Sequence, residues 1–356
     1  MAEPLRAERG CVGGGQTPRA QAPAFSMGMI LKLAWFAGGC VAVGLILWTG
    51  AGPVFGAVAA AGWGVLAVVV LRGVALSAAG IGWFFLFPAG LRPTAWTCVL
   101  IRFLRDGANA LLPITQIGGE AIGARVLNLR SSPASLSAAS VIVDVLVQAV
   151  TQFLFAAVGL AMLASMRDDD PIRGTVVIVM AIAVPALGGF YLAQRPVGQR
   201  FVKALLKRVV GEREWLSFGA IDALYNRLAA IYSNRRGVII AIFIHSLVWL
   251  FGALEVWAML AFMGYPSGYP EALVVESLMQ AIRGAAFAIP GALGAQEGGL
   301  VVLCAIFGVP AEAAIAMSLI KRVPDLVFGV PSLVGWQVLE GRALQGLAAG
   351  AEGGRG

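Results

Sequence analysis

Charge is scarce in this chain. Asp, Glu, Lys and Arg together supply 13% of its 356 residues, against about 25% in soluble domains. Histidine occurs once, at His245, and the cysteines Cys11, Cys40, Cys98 and Cys304 form no C-x-x-C pair. A zinc site and a disulfide framework both need more ligands or thiols, closer together, so no metal or other cofactor is expected. The G-x-S-x-G, H-E-x-x-H and Walker glycine-loop patterns are absent, which argues against an enzyme. Alternating strand patterns are absent too, which excludes an outer-membrane barrel.

What remains is apolar. Hydrophobic residues make up 59% of the chain and the mean hydropathy is +0.84, so the natural solvent is lipid. Runs such as Ala75–Phe87, Val176–Ala193 and Val238–Met263 approach or exceed the roughly 20 residues that cross a hydrocarbon core as helix. The pattern predicts an all-α integral membrane protein with about six transmembrane helices, near 30–49, 64–88, 135–164, 174–193, 237–264 and 312–340. Residues 1–29 and 343–356, rich in Gly, Ala and Arg, read as disordered tails around a membrane domain over 30–342. The apolar stretch after the first tail, Leu33–Leu47, is not trailed by a convincing A-x-A cleavage site and is expected to be retained as a helix.

Two further apolar stretches are too polar for ordinary spans. Residues 93–128 carry Arg102, Arg105, Asp106, Pro113, Glu120 and Arg125, and residues 271–308 carry Glu276, Arg283, Pro290 and Glu297. Each divides at its proline into two short pieces, as a re-entrant or broken hairpin does. Pro113, Gly118 and Gly119 shape the first reversal, and Pro290, Gly291 and Gly294 the second.

A shift of 177 residues lays Pro113 on Pro290, Glu120 on Glu297, Pro133 on Pro310 and Gln148 on Asp325. Repeat one then covers about 30–164 and repeat two about 174–342. The span count makes their topologies inverted, an arrangement that builds a midplane site from broken helices.

Arginine and lysine sort by loop. With a cytoplasmic amino terminus, Arg92, Arg130 and the basic segment 194–236 fall inside, while Asp168, Asp169 and Asp170 fall outside. Segment 194–236 reads either as a basic amphipathic helix on the anionic cytoplasmic leaflet or as a solvated connector.

The candidate site residues are the charges at membrane depth. Arg102, Arg105 and Arg125 on the cytoplasmic side, and Arg283, Lys321 and Arg322 on the other, suit a phosphate head group. Glu120 and Glu297 sit in the first turns of restarting helices, where a carboxylate caps the helix or gates a cavity. Asp144 and Gln148 share a helix face, matched by Asp325 in the second half. The alternative is that Asp106, Glu120, Asp144 and Asp325 neutralise the cations in structural pairs. His245 offers a proton relay or, more commonly, a helix–helix hydrogen bond, and Arg72 is a candidate partner for Glu255.

The segments Arg105-Asp-Gly-Ala-Asn-Ala-Leu-Leu-Pro-Ile-Thr-Gln-Ile-Gly-Gly-Glu-Ala-Ile-Gly-Ala-Arg125 and Pro290-Gly-Ala-Leu-Gly-Ala-Gln-Glu-Gly298 resemble a flippase-like family related to the transmembrane part of lysylphosphatidylglycerol synthases. The likeness extends over 30–342 and is greatest to the hopanoid-biosynthesis-associated branch. It implies a bacterial inner-membrane protein that moves lipids, with hopanoid or other anionic or terpenoid lipids as substrates. Lipid aminoacylation is not implied, because no soluble aminoacyl-transferase domain accompanies these segments. Two other readings stand beside a flippase: a scaffold for lipid-biosynthesis enzymes, and a lipid-linked transferase, which the short outer loops disfavour. A nucleic-acid partner is not expected.

The sorted loops lead to a topology test by thiol labelling in intact cells. Leu206→Cys should react only from the cytoplasm and Ser267→Cys only from outside; reaction of both from one face would remove the inversion.

Overall fold

A computed structural model describes residues 51–112, 118–130, 132–166, 185–210, 215–265, 267–286 and 289–353, together with Cys40 and Leu47. Among these residues the structure is helical throughout, with no strand. The helices are α1 (Ala51–Ala61), α2 (Gly64–Leu86), α3 (Ala95–Leu111), α4 (Gly118–Leu129), α5 (Ala134–Met166), α6 (Pro196–Val210), α7 (Trp215–Ser233), α8 (Arg235–Phe262), α9 (Tyr269–Ala285), α10 (Ala295–Ile306) and α11 (Ala311–Gly353).

Three of them, α2, α5 and α8, are long and apolar enough to cross a membrane. They correspond to the spans expected at 64–88, 135–164 and 237–264. The span expected at 312–340 lies within α11, which carries Pro324 and Pro331 inside it and extends to Gly353, into the stretch read as a tail. The spans expected at 30–49 and 174–193 lie largely outside the described residues, as do Pro113 and the hairpin tip beside it.

Both polar stretches are helix pairs. The first consists of α3 and α4, of 17 and 12 residues. The second consists of α9 and α10, also of 17 and 12 residues, joined through a 3-10 turn at Pro290–Ala292. Local sequence explains the ends. Thr94 caps α3 by accepting from the Thr97 N–H, and Asn234 caps α8 by accepting from the Gly237 N–H at 3.2 Å. Gly291 and Gly294 take φ of +63° and +77°, left-handed values that favour glycine and that turn the chain into α10.

The packing partners come in pairs. The helix α2 lies against α8, α3 against α11, and α5 against α9. Within each hairpin α3 packs on α4 and α9 on α10, while α4 meets α5 and α10 meets α11. Even the flanking helices follow, α1 resting on α11 and α7 on α5. Exchanging α1–α5 for α7–α11 therefore reproduces each of these pairings.

Two apolar clusters flank the centre. One gathers Val256, Met259, Val275, Leu300 and Met317, the other Trp83, Leu104, Leu127, Leu136 and Ile231. The outer surface is also apolar: Ile239, Phe243, Leu247 and Leu250 of α8 are exposed along one stripe, as are Val330, Val334 and Val338 of α11. Such stripes fit a lipid-facing wall. Away from it, Gln199 and Lys203 of α6 both donate to Asp222 of α7. The Lys203 hydrogen bond holds that exposed carboxyl below the usual range.

A close backbone crossing joins α3 to α11. A Cβ on Gly107 would fall 2.5 Å from the Gly329 Cα, so neither helix has room for a side chain there. Gly107→Val should cost roughly 1–3 kcal/mol by overpacking and lower the melting temperature in detergent. Gly335→Ala, with nothing within 4 Å of the added carbon, is the control; equal melting of the two variants would refute the close crossing.

Candidate functional site

Between the two hairpins lies a cavity of about 540 Å³. Its walls include Arg72 of α2, Arg102, Asp106 and Asn109 of α3, Glu120 of α4, Gln148 of α5, His245 of α8, Gln280 and Arg283 of α9, Gly291, and Asp325 of α11. Arg102 and Arg283, read from the sequence as serving opposite sides, line this one space. Charged groups in an apolar surrounding need partners or water, and they are met here by two networks.

The first network centres on Asp144, which is fully buried in α5. Arg105 Nη1 lies 2.7 Å from its carboxylate, Arg102 Nη1 3.7 Å, and His245 Nε2 3.1 Å. Gln148 donates to the same carboxylate at 2.8 Å. Arg105 also reaches Glu120, so its guanidinium bridges two acids on different helices. The indole of Trp83 faces that guanidinium at 5.0 Å. Glycines make the arrangement possible: a Cβ on Gly123 would meet Arg105 Cγ at 2.6 Å, and one on Gly119 the Arg105 carbonyl oxygen at 2.2 Å. The Gly-Gly-Glu-Ala-Ile-Gly run of α4 is thus a groove that seats a buried arginine.

The second network centres on Lys321 of α11. Its Nζ lies 2.8 Å from Glu276 and 3.8 Å from Glu255, and Gln280 donates to Glu276 at 2.6 Å. Arg72 reaches across from α2 to Glu255 at 3.2 Å, the pairing that the sequence suggested. Beside it, Glu297 accepts from Arg322 at 2.7 Å and from Ser318 at 2.9 Å.

Counted from the first residues of the helices, the two networks occupy matching positions. Asp144 and Lys321 are the eleventh residues of α5 and α11, counting from Ala134 and Ala311. Arg102 and Glu276 are the eighth residues of α3 and α9, counting from Ala95 and Tyr269. At both positions the charge is of opposite sign in the two halves. An acid held by a base in one half answers a base held by an acid in the other.

The tip glutamates differ from each other. Glu297 caps its helix, accepting from the Gly294 N–H at 2.7 Å. At the other tip Asn109 does this work, accepting from the Gly119 N–H at 2.7 Å, and Glu120 pairs with Arg105 instead. Arg125 is half-exposed against Glu340 at 3.1 Å and does not line the cavity. Asn109, Trp83, Gln280 and Ser318 were not foreseen as site residues. Their types are common in any helix, so only the fold distinguishes them.

Asp106, Arg283 and Asp325 line the cavity and make no ion pair with any described residue, which leaves charges of both signs facing a space whose walls are otherwise largely apolar. Over residues 35–335 the chain matches the family described as the lysylphosphatidylglycerol synthase TM region. No curated protein and no solved structure matches it.

Removal of one partner from a buried ion pair strands the other. Lys321→Met should therefore cost roughly 3–5 kcal/mol of stability, seen as a lower melting temperature in mild detergent. Glu276→Gln in the same chain should recover part of the loss, and wild-type melting of Lys321→Met alone would deny the pair its role.

Proposed function

Because the chain belongs to the family of lysylphosphatidylglycerol synthase transmembrane regions, a multi-pass membrane group in lipid metabolism or transport, we propose that it is a lipid flippase or lipid transporter. One observation carries the reading: a cavity of about 540 Å³ among helices of a membrane domain, lined by Asp106, Arg283 and Asp325, none of them committed to an ion pair among the described residues. A head group needs such a path because its charge costs a few kcal/mol in bare hydrocarbon. The cavity supplies polar partners while the exposed stripes of α8 and α11 leave acyl chains in the bilayer.

The equal lengths of α3 with α9 and of α4 with α10, together with the matched packing partners of α1–α5 and α7–α11, support two repeats. An even number of membrane crossings between α2 and α8, namely α5 and the span expected at 174–193, then sets them in opposite orientations, with the amino terminus cytoplasmic and the protein in the bacterial inner membrane. The α6–α7 segment faces the anionic cytoplasmic leaflet in this arrangement. The protein is read as a carrier and not an enzyme. Hopanoid or other anionic or terpenoid lipids are the substrates to test first, on the likeness of the hairpin segments. Scaffolding of lipid-biosynthesis enzymes is the competing role, and it leaves the free cavity charges without work.

Translocation of fluorescent lipids in proteoliposomes separates the two. Arg283→Gln and Asp325→Asn should each slow translocation about tenfold or more, the equivalent of one lost charged hydrogen bond, with melting close to wild type. Wild-type rates in both variants would favour the scaffold.

A further inference from the structure

Resting on the transport reading above, we infer that His245 is a proton-binding site on the cavity wall and that it couples lipid translocation to a proton gradient. His245 is the one histidine of the chain, and imidazole is the side chain whose charge ordinarily changes near neutral pH. It is buried, at 2% exposure, yet it lines the cavity. Helix α8 brings it from the second half of the chain to the central acid of the first half.

The bonding fixes where a proton goes. Arg105, Arg102 and Gln148 all meet Asp144 at Oδ2, two cations and an amide donor, so its carboxylate is ionised and is the acceptor at Oδ1 as well. His245 Nε2, 3.1 Å from Asp144 Oδ1, is therefore the N–H donor, and the Nδ1 lone pair is the vacant base. A proton arriving from cavity water forms the Nδ1–H bond and makes an imidazolium beside Asp144. It leaves by the same atom to water when the cavity opens to the other side.

Arg105 links that proton to the hairpin. Its guanidinium is divided between Asp144 and Glu120, and Glu120 rides on α4, whose face borders the cavity. When α4 moves with a head group, Arg105 follows Glu120, and Asp144 gains capacity for an imidazolium. When α4 returns, Arg105 reoccupies Asp144 and the third cation is expelled. Other charges on the elements around His245 include Arg72 on α2, Asp222 and Arg227 on α7, Arg235, Arg236 and Glu255 on α8 itself, Glu271, Glu276 and Arg283 on α9, and Lys321, Arg322 and Asp325 on α11. None of them touches it, so Asp144 is the partner that senses its charge.

The test uses the full chain in phosphatidylcholine vesicles with a labelled head-group lipid, read as the fraction of label reached by an external quencher. Without a pH gradient the wild type should bring the label to an even distribution. A gradient of one pH unit should shift the steady ratio between leaflets up to about tenfold, the limit for one proton per lipid. The gradient should leave the ratio unshifted in His245→Gln and in His245→Asn, with folding checked by melting. An unshifted ratio in a wild type that does translocate lipid would overturn proton coupling and leave the transport reading standing. A retained response in either folded variant would overturn His245 as the site. Absence of any translocation in the wild type would overturn both readings, and if neither variant folds, the wild-type arms alone decide.

Discussion

The cost of holding charge away from water governs this structure. Asp144, Arg105, Glu276, Glu297 and Lys321 are all almost fully buried, and in surroundings of low polarity a lone ion of this kind is untenable. Each has been given an opposite charge within a few ångström, and the fold can be read as the set of helix contacts that keeps those partners together. The broken hairpins follow from the same need. A continuous apolar span has no place for an arginine to turn back on a glutamate, whereas two short helices meeting at an angle do.

Coordinating the pairs requires small residues where the helices cross. Gly119 and Gly123 admit the Arg105 stem, Gly252 lets Glu276 approach α8, and Gly107 and Gly329 allow α3 and α11 to touch through their backbones. Tight approach is the ordinary basis of helix association in lipid, where no hydrophobic force draws helices together. Here it does two jobs, since the spaces opened by glycine are filled by ion pairs.

Much of this was legible in the order of residues. Apolar runs mark α2, α5 and α8, and the prolines with their flanking glycines mark the breaks in both polar stretches. The recurrence of Glu120 as Glu297 and of Gln148 as Asp325 anticipates the matching positions seen in α4 with α10 and α5 with α11. The pairings were not legible. Arg102, Arg105 and Arg125 are alike as letters, yet one lines the cavity, one is sealed under it and one lies against Glu340 at the surface. That difference is a matter of a helical turn and of which neighbour crosses nearby, and neighbours distant in sequence leave no local signal. The change of sign between Asp144 and Lys321 also conceals their equivalence, because a comparison that scores likeness counts it as a mismatch.

The wiring of the ion pairs bears on how such a chain enters a bilayer during synthesis. Arg102, Arg105, Glu120 and Asp144 all belong to the first half, and Glu276, Glu297, Lys321 and Arg322 all to the second, so most of each network closes among segments made close together in time. The first half can shed its polar burden before the second has left the ribosome. Within the two networks only Arg72 and Asp144 wait for a group from the second half, Arg72 for Glu255 and Asp144 for His245. Those two contacts are the clasp that assembly adds last.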